Sequence, residues 1–256
     1  MPRLPNFVII GAQKAGTTAA ARNLALHPEI SVFSGTTEYG QKEIEFFNQH
    51  WNRGIEWYQS HFNSQAKAVG EKTAELLHRS VCHGRMSATI PKAKLVVILR
   101  SPVERSFSQW RMASLAKRDE PNDFESVIFE ELRQIEDPTY QAHFSLCHED
   151  RISCWREGYV LKGFYADQLE HLLHCYPAEN VLVAISERIR KDMRKEYERV
   201  FRFLGVSALP LPFAEHFASP PTPPMSLRAR NVLKQVYRTP NDRLRNLLRD
   251  EIPEWT

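Results

Sequence analysis

Three short runs of apolar, largely β-branched residues constrain this chain more than anything else in it: "FVII" at 7–10, "LVVIL" at 95–99 and "VLVAI" at 181–185. None of them alternates with polar residues. A strand wetted on one face alternates, whereas a strand buried on both faces does not, and burial on both faces is the condition of a parallel sheet covered by helices. Each run leads into a polar turn and then a helical pattern. "TTAAARNLALHP" follows the first run, rich in alanine and leucine and stopped by Pro28. "PVERSFSQWRMASLA" follows the second and opens with proline, which suits the first turn of a helix. After the third, Ile189, Met193, Tyr197, Val200, Phe201 and Leu204 fall on one helical stripe closed by Gly205. Strand, turn and helix in repetition predict an α/β fold with a central, mainly parallel sheet flanked by helices.

The proline-rich stretch 206–226 reads as an irregular surface segment, and 227–255 as one helix, a break at Pro240 and a short second helix. With no internal repeat, no low-complexity tract and no second core pattern, residues 1–256 are expected to form one domain. A net charge of +3 suits a small anionic ligand and is too weak to argue for a nucleic-acid surface. The longest apolar runs are strand-sized, far below the roughly 18 residues that cross a bilayer, so no membrane partner is expected. "MPRLPNF" lacks the apolar stretch of a secretory signal, and with Met1 as the native start the chain reads as cytoplasmic. Cys82, Cys147, Cys154 and Cys175 form no C-x-x-C pair and read as thiols, with Cys147–Cys154 as the one bridge to consider. The ten histidines lack paired ligand spacing, so no metal is expected.

At the carboxyl end of the first run stands "GAQKAGTT", where an open α/β sheet places its ligands. A P-loop carries its lysine directly after its second glycine. Here Lys14 precedes Gly16, and Thr17 and Thr18 follow it. Backbone N–H groups, the positive end of the first helix, two hydroxyls and a lysine would converge on an anion. The plainer reading is a glycine-rich turn with a solvated lysine. A second candidate lies in "LVVILRSPVERSFSQW", which puts Arg100 at a strand end and Ser108 eight residues on, in the following helix. A guanidinium there suits a second phosphate, or else an ion pair with a carboxylate such as Glu104. Two such sites imply a ligand with two separated anionic groups.

These pieces resemble the sulfotransferase family that uses 3′-phosphoadenosine 5′-phosphosulfate (PAPS), and most closely its heparan sulfate N- and 3-O-sulfotransferase branch with the bacterial relatives. The likeness runs in order through "GAQKAGTT", "KEIEFFNQHWNRGIEWYQSHF", "GEKTAELL", "PKAKLVVILRSPVERSFSQW", "KGFYADQLEHLLHCYP" and "LRDEIPEW". It implies a P-loop-like phosphosulfate-binding loop of Lys14, Ala15, Gly16, Thr17 and Thr18. Arg100 and Ser108 would bind the 3′-phosphate, no metal would be needed, and 3′-phosphoadenosine 5′-phosphate (PAP) would be the product. It also implies that Glu43 is the catalytic base and that Lys72 lies near the reacting sulfate, with Lys14 neutralising the leaving oxygen. Beside the aromatics of "IEFF", Glu43 is expected to be partly desolvated, which raises a carboxyl pKa; a surface glutamate balanced by Lys42 is the alternative. Glu45 stands where some relatives carry histidine, and Asn48 where some carry aspartate.

The chain departs from the family at Ala74 and Leu76, where proline and tyrosine are usual, so the acceptor pocket is expected to be remodelled. Trp51, Trp57 and Tyr58 read as core packing before substrate wall. Gly163 and Tyr165 match a family pattern with a supporting role, while the usual basic loop near the C-terminus has no counterpart around "HFASPPTPPMS". The expected acceptor is a small molecule or carbohydrate, with hydroxyl and amine both compatible with a glutamate base. A P-loop-like nucleotide kinase and a non-catalytic nucleotide- or partner-binding relative are the alternatives. Oligomeric state is not encoded in any pattern of this sequence.

Overall fold

A computed structural model of the chain describes residues 2–33, 35, 43–115, 123–140, 158–214 and 224–255. Its centre is a sheet of five parallel strands in the order β2-β3-β1-β4-β5: β1 Phe7–Gly11, β2 Ile30–Val32, β3 Ala68–Lys72, β4 Lys94–Leu99 and β5 Val181–Ile185. The three non-alternating runs are β1, β4 and β5. β1 is buried along its whole length and lies between β3 and β4.

The strands β2 and β3 carry no such signature. β2 has only three residues, "ISV", and β3, "AVGEK", holds a glycine and two charges. Burial still suits β3, because its polar groups are matched. The Glu71 carboxylate accepts from the Tyr58 hydroxyl at 2.6 Å and from Thr73 Oγ1 at 2.9 Å. Gly70 lies so close to β1 that a Cβ there would sit 2.3 Å from the Phe7 carbonyl oxygen. Glycine is the residue for such a backbone approach.

Helices cover the sheet. α1 (Thr17–Leu24) follows β1, α2 (Gly54–Ser60) precedes β3, and α3 (Ser80–Thr89) runs between β3 and β4. α4 (Pro102–Leu115) opens on Pro102 directly after β4, as its sequence predicts. α5 (Phe124–Gln134) and α6 (Tyr165–Cys175) precede β5. The stripe after β5 is not one helix but two, α7 (Ser186–Lys191) and α8 (Met193–Leu204). Asp192 breaks it: its side chain accepts from the Lys195 N–H at 3.0 Å as the cap of α8, which then ends at Gly205 in the left-handed region.

The expected break at Pro240 is also absent, since α9 (Leu227–Leu248) runs straight through it. A proline costs one hydrogen bond to the carbonyl four residues back. Leu233, Tyr237 and Leu244 are fully buried on a single stripe that spans the proline, and this packing holds both halves in register. Residues 206–214 are irregular, as expected, and 215–223 lie outside the described residues.

The main core gathers the sheet and its flanking helices, and a second cluster joins α4, α5 and α9 through Val103, Phe107, Phe124, Ile128, Leu233 and Tyr237. Tyr58 belongs to the core, stacked on Phe46 with ring centroids 4.5 Å apart, and Trp51 and Trp57 pack half-buried at its edge. Cys82 and Cys175 are thiols, while the Cys147–Cys154 bridge lies outside the described residues. No helix among the described residues is long and apolar enough to cross a membrane.

Candidate active site

The chain leaves β1 at Gly11 and enters α1 at Thr17, so the intervening loop sits at the carboxyl edge of the sheet's central strand. Gly16 caps α1 with φ 98°, and among the described residues no side chain caps the helix's first turn. A Cβ at Gly16 would meet Ser186 Oγ at 3.8 Å, an ordinary contact, so the backbone angle rather than space requires glycine. Lys14 also has a left-handed backbone, φ 70°, a conformation that costs a side-chain-bearing residue roughly 1–2 kcal/mol. The Ala15 N–H is spent on the Ala12 carbonyl at 3.1 Å, so Ala15 shapes the turn. Thr17 is buried and Thr18 half-buried at the mouth of the helix.

Cations gather on one side of this loop. The Lys14 ammonium donates to Met112 Sδ on α4 at 3.2 Å, and the Lys14 carbonyl accepts from Arg100 Nη1 at 3.2 Å. Burial first, then repulsion from Arg100, Arg105 and Arg111, lowers the Lys14 amine to about 8. Among the described residues no carboxylate pairs with Arg100, and its buried Nε has no hydrogen-bond partner. Glu104, the alternative partner, bonds Arg230 at 2.6 Å instead. Burial, and next Arg190, lower the Arg100 pKa. Ser108 lies half-buried in the second turn of α4, and no hydrogen bond joins it to Arg100 among the described residues.

Two supports explain motifs whose roles the sequence left open. The Tyr165 hydroxyl donates to the Arg100 carbonyl at 3.0 Å. Glu187, in the first turn of α7, accepts from the Ser101 N–H at 3.0 Å and from the Trp255 indole at 3.1 Å, so the "IPEW" segment braces the residue next to Arg100. Gly163 faces the Tyr237 ring, which a Cβ would meet at 2.7 Å. Beneath the loop lies a buried polar network that sequence reading missed. Gln13 donates to Glu75 Oε1 at 3.1 Å and accepts from Lys162 Nζ at 3.1 Å, while Arg79 pairs with Glu75 at 3.1 Å. The only available signal was the charge inside "TAEL" and "LKGF", which reads as surface until the partners are seen.

On the other side of β1, Lys72 closes β3 and forms an ion pair with Glu43. The second Glu43 oxygen accepts from the Ala74 N–H at 3.4 Å, at one of the two positions where this chain departs from the family pattern. Lys42 lies outside the described residues. Glu45 is the buried member of this group: its Oε1 accepts from Gln49 Nε2 at 3.1 Å. Burial, then the Glu43 and Glu75 carboxylates, push Glu45 up to about 8. Glu43 and Lys72 therefore flank the loop on its β3 side, and Arg100 and Ser108 on its β4 side.

The sulfotransferase domain family matches residues 4–218, which include all five strands, the loop, Glu43, Lys72, Arg100 and Ser108. The chain belongs to that family. Human bifunctional heparan sulfate N-deacetylase/N-sulfotransferase 1 is 31% identical over 210 residues, covering 80% of this chain and 22% of the relative. The chain thus spans about a fifth of the length of the heparan sulfate relatives it matches. The membrane-associated sulfotransferase kil1 of Dictyostelium discoideum is 26% identical over 96% of this chain and 65% of its own length. Among solved structures, a sulfotransferase from Alicyclobacillus acidocaldarius superimposes with a TM-score of 0.78 at 25% identity, covering 99% of both chains. In this sulfotransferase domain no cluster of three or more histidine, cysteine or acidic side chains that could hold a metal occurs among the described residues.

Proposed function

We propose that this sulfotransferase domain uses PAPS as donor and transfers its sulfuryl group to a hydroxyl or amine of a small metabolite or carbohydrate. The observation that carries the donor is Arg100, a half-buried guanidinium whose Nε is buried without a hydrogen-bond partner, at a strand end beside the lysine loop. A buried donor without a partner is costly, and a phosphate would satisfy both the charge and the fork of donors. The 3′-phosphate belongs there, with Ser108 on the same side. The 5′ end belongs at Lys14, Gly16, Thr17 and Thr18, where an uncapped helix N-terminus and an ammonium meet. PAPS supplies the sulfuryl group and departs as PAP.

The chain's own groups then divide the work. Glu43 takes the proton of the acceptor O–H or N–H as the new bond to sulfur forms. Lys72 holds that carboxylate at the end of β3. Lys14 and the first-turn N–H groups offset the charge that collects on the departing phosphate oxygen. Positioning and electrostatics supply most of such a transfer. A kinase would need an acid free for magnesium at a strand end, yet both oxygens of Glu187 are occupied by Ser101 and Trp255. The heparan sulfate relatives support a carbohydrate or amine acceptor, while Ala74 and Leu76 support a pocket shaped differently from the family's usual one.

Calorimetric titration with PAP, with ADP as control, tests the donor site on wild type and Arg100→Ala. Tight PAP binding, weak ADP binding and a loss of roughly 10- to 100-fold in the variant are expected for one charge-assisted pair. Equal affinity for the two nucleotides, or no binding of either, would refute the reading.

A further inference from the structure

The Lys14 ammonium has an unusual neighbour. Its one acceptor among the described residues is the thioether sulfur of Met112 at 3.2 Å, and a thioether accepts hydrogen bonds only weakly. Around it stand Arg100, Arg105 and Arg111, all cations. Met112 lies four residues after Ser108, so the two share one face of α4, and both are half-buried. Met86 and Met225, in contrast, are buried in the core, and Met193 packs half-buried against it. Met112, half-buried as a residue, therefore sits on the side of α4 that faces the lysine loop, with its sulfur against the side chain assigned to the leaving group.

We propose that Met112 is an oxidative modification site that controls Lys14: a peroxide converts its thioether to the sulfoxide, and the new oxygen holds the ammonium against α4. This rests on the reading of Lys14 as a ligand of the transferred group. A sulfur lone pair attacks one peroxide oxygen and the O–O bond breaks. A sulfur–oxygen bond forms, so the sulfur is oxidised by two electrons and hydrogen peroxide is reduced to water. The sulfoxide oxygen is a strong dipolar acceptor where the thioether was a weak one, and the change is reversible by methionine sulfoxide reductases. Before meeting the donor, Lys14 must then break a charge-assisted hydrogen bond, which weakens binding about tenfold.

The test treats the full chain, wild type and Met112→Leu, with graded hydrogen peroxide, then restores thiols with dithiothreitol and maps added oxygen by peptide mass spectrometry. Within each protein, PAP affinity by calorimetry is compared before and after treatment. The expected result is about a tenfold loss in wild type, recovery after a methionine sulfoxide reductase, and no change on treatment in Met112→Leu. Oxygen found on Met112 with unchanged PAP affinity overturns the proposal. So does an equal loss in both proteins, or oxidation of the other methionines ahead of Met112. Untreated wild type that fails to bind PAP at all would remove the donor reading and this inference with it, so the two failures are distinguishable.

Discussion

Raising the pH should loosen the grip on PAP, through one lysine. Burial and three neighbouring arginines hold the free Lys14 amine at about 8. A bound phosphate supplies the missing counter-charge, so the complex must titrate at higher pH than the free protein. Binding above the free value therefore takes up a proton, and affinity falls as that proton becomes scarcer. From about pH 7 to about pH 9 the ratio of neutral to charged free lysine sets a roughly tenfold rise in Kd, close to 1.4 kcal/mol. The arginines stay charged throughout, and phosphate groups, with second pKa values near 6, are essentially fully ionised over that range, so neither contributes to the slope. Calorimetry in buffers of different ionisation enthalpy reads both the Kd and the proton uptake. Lys14→Met should bind more weakly but with a flat profile. A flat profile in wild type, with Arg100→Ala still impaired, would show that Lys14 does not touch the ligand.

Glu43→Gln should lower the transfer rate roughly 10²- to 10⁴-fold, the usual contribution of a general base, while PAP affinity on calorimetry stays close to wild type. At Glu71, burial pushes the carboxyl up from 4.5 to about 7, so its share of stability is present below its unfolded value and is lost as pH rises through 7. Urea unfolding of wild type against Glu71→Gln at about pH 5 and about pH 8 should show wild type losing ~2–3 kcal/mol relative to the variant; a constant difference would contradict it. Asp192→Ala removes the cap of α8 and should cost about 1 kcal/mol, a fall of roughly 2–4 °C in Tm by calorimetry.

What could be read from sequence followed one rule. Elements buried by apolar side chains announce themselves, and elements buried by satisfied polar ones do not. β1, β4 and β5 are of the first kind. β3 is of the second, since Glu71 is tolerated inside only through Tyr58 and Thr73, which lie elsewhere in the chain or just past the strand. Helix boundaries failed for a related reason. The stripe across α7 and α8 stays in phase although Asp192 interrupts the backbone, and the stripe along α9 carries the chain over Pro240. In the site, the loop and Arg100 were legible because glycine spacing and a strand-end arginine are local patterns. Lys162, Gln13 and Glu75 were not, because a buried lysine is recognisable only by partners up to 149 residues away.

The strand order has a practical consequence for engineering. Because β1 stands in the middle of β2-β3-β1-β4-β5, Glu43 and Lys72 fall to one side of it and Arg100 and Ser108 to the other. The first pair comes from one continuous stretch of chain that ends before β4 begins. A segment from a relative spanning Glu43 to Arg79 could be exchanged as a cassette that replaces β3, so long as it keeps the carboxylate at position 75 that Gln13 of the lysine loop bonds, while β4 and β5 keep their pairing. On the proposed assignment of donor and acceptor sides, such chimaeras should keep donor binding while the acceptor changes, which would make substrate range recombinable independently of the donor.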